Sequence, residues 1–128
     1  MNEYAREPIR GEDGVLDGAA LDTLLELTGG DTAFLAEMID TFLEDTPTII
    51  AEMRSAAASG DPASLRRAAH TLKSNSRTFG AHRLGELCRQ IEEFAATTRG
   101  DDAAQLVDSI AGEYRRVEAA LLAGRQAS

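Results

Sequence analysis

Residues 61–80 read DPASLRRAAHTLKSNSRTFG, and the spacing of their apolar members decides the fold. Asp61, Pro62 and Gly80 punctuate a helix between them. An Asp side chain accepts a free N–H of the first turn, and proline's missing N–H costs nothing there. A glycine closes the far end in the left-handed conformation. Advancing about 100° per residue, Leu65, Ala69, Leu72, Ser76 and Phe79 fall within about 40° of one direction. That stripe must face a core.

The same punctuation repeats outward. Asp17 caps a short first helix carrying Leu21, Leu24, Leu25 and Leu27, stopped by Gly29-Gly30. Asp31 caps a second, in which Phe34, Leu35, Met38, Ile39, Phe42 and Leu43 keep the spacing of one buried stripe. Pro47 interrupts it, yet Ile49, Ile50 and Met53 carry the pattern on to about Ala57. A single helix kinked at the proline is expected, in preference to a new segment capped by Thr46. A fourth helix is expected over 81–97, with Leu84, Leu87, Cys88, Ile91 and Phe94 inward. After a turn at Arg99-Gly100-Asp101, a fifth carries Leu106, Ile110, Tyr114, Val117 and Leu121. Loops this short make neighbours antiparallel. The expectation is an all-α protein: an antiparallel up-down four-helix bundle over 16–123 with an additional short N-terminal helix. Residues 1–15 read as a loose polar arm and 124–128 as a polar tail.

Composition agrees. A chain of 128 residues supports one ordinary core. Hydrophobic residues make up 43% but aromatics only 5%, so Ala and Leu, both helix formers, supply most of the apolar surface. A net charge of −9 argues against a nucleic-acid or anionic-membrane partner. The single cysteine, Cys88, excludes a disulfide framework and a Cys-rich zinc site, and its spacing makes it a small core residue. The polar start is neither a secretory signal nor an anchor, and no stretch nears the roughly 18 apolar residues of a spanning helix. A soluble, cytoplasmic monomer is the expectation.

Charge is not evenly spread. No Asp or Glu stands between Asp61 and Glu86, and the protein's one lysine, Lys73, lies in that window. His70 falls about 140° from the core direction, on the water side. Arg66, Lys73 and Arg77 flank it at spacings that share one helix surface, Arg67 extends the patch, and Ser74 points almost directly outward. A surface histidine among solvated cations is the ordinary reading. Against it stand the local exclusion of acids, the small residue four beyond His70, and like charges that disfavour a protonated ring. An exposed neutral imidazole among cations is a nucleophile suited to an anion. A phosphoryl group fits, with Lys73 within reach of its oxygens. The sequence holds no G-x-x-x-x-G-K-[ST] or other nucleotide loop, so the group must come from, and leave to, another protein.

Ala69-His70-Thr71-Leu72-Lys73, then Ser74-Asn75-Ser76, Phe79-Gly80-Ala81, Leu84, Cys88 and Ile91-Glu92, resembles the histidine-containing phosphotransfer (HPt) family of phosphorelays. Phe42-Leu43 with Pro47 and the helix layout add to the resemblance, which spans about residues 16–122. It implies that His70 accepts the phosphoryl group, that Lys73 steadies it, and that Ser74 is a small residue letting a receiver domain approach. Glu92 falls where some members have a Gln that orients the imidazole. An ionised carboxylate cannot donate as an amide does, so Glu92 is expected to be an exposed flank residue that accepts from the ring or from water. His82 has no counterpart and is expected to be an exposed bystander.

The implied partners are a response-regulator receiver domain and a sensor or hybrid histidine kinase. The Mg²⁺ of the reaction would belong to the receiver, leaving this chain without a cofactor or metal. The face formed by Arg66, Arg67, Ser74, Arg77 and Glu92 would meet that partner, and opposite potentials would speed encounter. Leu16, Leu21 and Phe34 are candidates for an apolar docking patch beside His70. Two other functions are compatible with a small acidic helical chain: an adaptor that binds a receiver without transfer, and an acyl-carrier-like protein using Ser109 in Asp108-Ser109-Ile110. A di-iron site needs inward Glu-x-x-His pairs, and both histidines are expected outward.

Overall fold

The computed structural model describes residues 14–97 and 100–127; most of the expected arm, Arg99 of the expected turn and Ser128 lie outside them. Among the described residues the chain is all-helical: α1 (Gly18–Leu27), α2 (Thr32–Ser59), α3 (Pro62–Thr78), α4 (His82–Phe94) and α5 (Gly100–Ala127). Successive long helices pack on one another, and α5 returns to α2, closing a four-helix bundle; α1 lies across α2 and α3. None of the described helices is long and apolar enough to cross a membrane.

The caps act as their chemistry requires. Asp17 accepts from the Ala19 N–H, Asp31 from the Phe34 N–H and Asp61 from the Ser64 N–H, at 3.0, 3.0 and 3.1 Å. Gly60 ends α2 in the left-handed region at φ 69°. The stripe of α3 is buried as expected, with Ala69, Leu72 and Ser76 fully so. Opposite it lie Met53, Leu84, Ile91, Val107, Ile110 and Val117. Each large aliphatic contributes about 1.5–3 kcal/mol over an exposed position. Phe42 packs on Phe79 and Tyr114, with ring centroids 4.9 and 6.1 Å apart, tying α2 to the end of α3 and to α5.

α2 runs unbroken through Pro47. Thr46 is no cap: it is fully buried, and its hydroxyl donates to the Phe42 carbonyl at 2.7 Å. Proline has no N–H to give the carbonyl four residues back. That carbonyl, of Leu43, instead accepts from the Tyr114 hydroxyl at 3.1 Å.

Several expectations are corrected. α4 ends at Phe94, short of residue 97, and Phe94 is 45% exposed. The buried stripe of that helix is Leu84, Cys88, Ile91 and then Ala95, with Leu87 partly covered at its edge. In α5, Ala103 and Val107 are buried while Leu106 is only partly so. Helix also replaces the expected tail over 124–127. Leu16 and Leu21, offered as a docking patch, are core residues; of the three only Phe34 is exposed.

Candidate functional site

α3 delivers the site. With Ala69 and Leu72 locked in the core, the intervening turn projects His70 to solvent, its side chain 63% exposed. α4 supplies what the sequence spacing of α3 cannot show. A Cβ on Gly85 would stand 3.3 Å from Arg77 Cγ and 3.7 Å from the Lys73 carbonyl, so a glycine lets the two helices and the Arg77 stem close together. Two turns on along antiparallel α4, Glu92 then lies against His70 and Lys73.

Glu92 bridges them. Its Oε2 is 2.7 Å from His70 Nδ1, and its Oε1 pairs with Lys73 Nζ. The carboxylate is only 15% exposed and Lys73 only 19%, against 63% for the histidine. Burial pushes the Glu92 carboxyl up, but hydrogen bonds from Lys73 and His70, and their charges, outweigh it and hold it below its ordinary value. The group is therefore ionised at neutral pH and can only accept. His70 Nδ1 must then carry the hydrogen, which in a neutral ring leaves the lone pair on Nε2. One turn from Glu92, the Cys88 thiol is pushed up to about 12 by burial, with the Glu92 charge adding to it. It is a core group, as its spacing implied.

This corrects two readings. Glu92 accepts from the ring as expected, but it is not an exposed flank residue; it is a largely buried bridge between the histidine and Lys73. Nor is the imidazole ringed by cations, since its charged contact is an anion and Lys73 is neutralised by that same anion. Spacing along one helix counts only that helix's neighbours, and the decisive carboxylate comes from the next one. The signal was present in the helix-paced run Gly85, Cys88, Glu92, which places the acid at the edge of the inward face of α4.

The remaining predicted residues are on the α3 surface. Arg66, Arg67, Ser74 and Arg77 are all exposed. The Asp61 carboxyl is held below its ordinary value by the Ser64 hydroxyl and N–H, with Arg67 adding its charge. Arg77 lies over Gly85 and, after Arg89, helps lower Glu86. The basic face is thus continuous with acids at its borders. His82 is exposed as expected, and its Nε2 is 3.0 Å from Oδ2 of Asp17, the residue that caps α1. Ser109 lies inside α5, not at a helix start, so the acyl-carrier resemblance has no structural counterpart. Among the described residues no cluster of His, Cys, Asp and Glu is arranged to hold a metal ion.

An exposed nucleophilic nitrogen, oriented by a carboxylate and attended by an ammonium group, can accept and release an electrophilic group carried in by another macromolecule. The family model of the Hpt domain matches residues 37–121. The fold is similar to the crystal structure of histidine-containing phosphotransfer protein B (HptB) from Pseudomonas aeruginosa PAO1, with a TM-score of 0.80 and 27% identity over 90% of this chain and 97% of that one. No curated protein sequence matches.

Proposed function

The chain belongs to the Hpt domain family, and from that premise we propose that it is a phosphorelay carrier that takes a phosphoryl group from a receiver-domain aspartate onto His70 and passes it to a second receiver. His70 Nε2 attacks the phosphorus of the aspartyl phosphate. The P–N bond forms as the P–O bond to the aspartate breaks, and the bonding pair leaves with the carboxylate oxygen. Transfer onward is the same step reversed. Lys73 meets the charge on the phosphoryl oxygens, and the Mg²⁺ that organises the group sits in the receiver. Ser74 keeps the surface beside the ring low, and Arg66, Arg67 and Arg77 attract the acidic pocket of the receiver. The relay would run in the cytoplasm, with the carrier acting as a monomer.

The observation that carries this reading is the exposed His70 ring whose Nδ1 is taken up by Glu92. The test is to mix the protein with a phosphorylated receiver domain and its Mg²⁺. Label should move to His70 as an acid-labile, base-stable phosphate. Receiver binding with no movement of label would make the chain an adaptor, and the reading would fail.

A further inference from the structure

Glu92 serves two hydrogen-bond donors with one negative charge. Its Oε1 serves Lys73 and its Oε2 serves the ring, and with 15% exposure it has little water to fall back on. Resting on the proposed phosphoryl transfer, we propose that Glu92 is a charge-compensating positioning residue whose balance shifts when the phosphoryl group arrives. Lys73 leaves Oε1 for the phosphoryl oxygens, and the released carboxylate becomes the counter-ion of a phosphoimidazolium.

The charges require such a shift. When Nε2 of a neutral ring bonds to phosphorus, Nδ1 keeps its hydrogen and the ring carries a positive charge. Were the Nδ1 proton lost, the ring would become neutral and the P–N bond would have a poorer leaving group. The Glu92 carboxylate, on Nδ1 already, keeps that proton in place. When the phosphoryl group leaves for an aspartate oxygen, the P–N pair returns to Nε2, the ring is neutral again and Lys73 returns to Oε1. No proton enters or leaves the site in either direction.

The other charged groups bordering the ring do not duplicate this role. Arg66, Arg67 and Lys73 on α3 are cations and oppose a ring charge. From α2, Glu52 borders a groove it shares with Arg67 and Thr71, a groove that His70 does not line. From α4, Glu92 is the carboxylate on the imidazole.

The experiment needs no partner protein. The full chain and its E92Q and K73M variants are phosphorylated with phosphoramidate, and the Nδ1 protonation of phospho-His70 is followed by ¹⁵N and ³¹P NMR against pH. An amide at 92 still accepts a hydrogen bond but brings no charge. The E92Q midpoint should fall at least one pH unit below wild type, about a tenfold loss in the protonated form. K73M leaves the carboxylate in place and removes a cation from beside the phosphorylated ring, so its midpoint should lie at or above wild type. Equal midpoints in all three proteins, or a K73M midpoint below that of E92Q, would overturn the proposal and leave the transfer function intact. Wild-type protein that takes no phosphate on His70 from either phosphoramidate or a receiver would overturn both.

Discussion

The Gly80 carbonyl accepts the Asp17 N–H at 2.9 Å, and a Cβ placed on Gly80 would stand 2.7 Å from the Asp17 carbonyl oxygen. This contact pins the start of α1 to the end of α3, and Gly80 also holds φ at 76°, where side chains are disfavoured. Gly80→Ala should therefore cost about 1–3 kcal/mol from backbone strain alone, read as a lower urea midpoint. Gly112 is the control: it lies within α5 and an added Cβ there meets nothing within 4 Å. Gly112→Ala should stabilise by roughly 0.5–1 kcal/mol through helix propensity.

Tyr114 and Pro47 form a second pair of linked positions. Tyr114→Phe leaves the Leu43 carbonyl with neither a helical donor nor a hydroxyl, so a loss of about 1–3 kcal/mol is expected in chemical denaturation. Pro47→Ala restores an N–H that can reach the same oxygen. In that background Tyr114→Phe should cost less, and a double-mutant cycle should give a coupling of about 0.5 kcal/mol or more. Simple additivity would deny that the hydroxyl replaces the missing donor.

Substitution at His70 should separate chemistry from folding. His70→Gln should abolish labelling from a phosphorylated receiver while changing stability by no more than about 0.5 kcal/mol, because the side chain is exposed. Lys73→Ala should keep labelling but slow it about tenfold or more, or shorten the lifetime of the phosphohistidine. Gel autoradiography and stopped-flow transfer measure the two effects.

Acid should weaken the bundle in part through Glu92. Its carboxyl is held below the ordinary value in the folded protein, by Lys73 and His70 acting against burial. A depressed folded value means that this stabilisation is complete above the unfolded value and is lost as pH falls through the folded one. Thermal midpoints of wild type and Glu92→Gln should thus differ most at neutral pH. They should converge as pH drops below about 4.3, the ordinary glutamate value.

Cys88 should be silent in the native state. It is fully buried, and its thiol is pushed up to about 12 by desolvation. The thiolate is the reactive form, so maleimide labelling at pH 8 should wait on unfolding. Its rate should track denaturant concentration.

Helix existence was legible because each start carries its own chemistry. Asp17, Asp31 and Asp61 announce caps that the structure contains, and the α3 stripe from Leu65 to Phe79 is buried as its spacing required. His70 was legible by subtraction, as the residue of that helix facing away from the stripe. Helix ends and edges were not. Phe94 reads as apolar and inward, but it lies one position to the side of Ala95, which the stripe selects. Leu16 and Leu21 could be core or docking surface until the path of α1 was known. Glu92 was the costliest miss, since its burial and its two partners depend on how closely α4 meets α3. That approach is set by Gly85, a residue with no side chain to advertise it.

The exposed imidazole and the carboxylate on its Nδ1 belong to different helices. Their alignment is therefore a property of the seam between α3 and α4 rather than of either segment. Anything that loosens that seam, such as warming, a bulkier residue at 85 or a partner levering on α4, would detune the ring well before the protein unfolds. The phosphoryl transfer proposed for His70 should fade gradually with temperature, ahead of the cooperative melt.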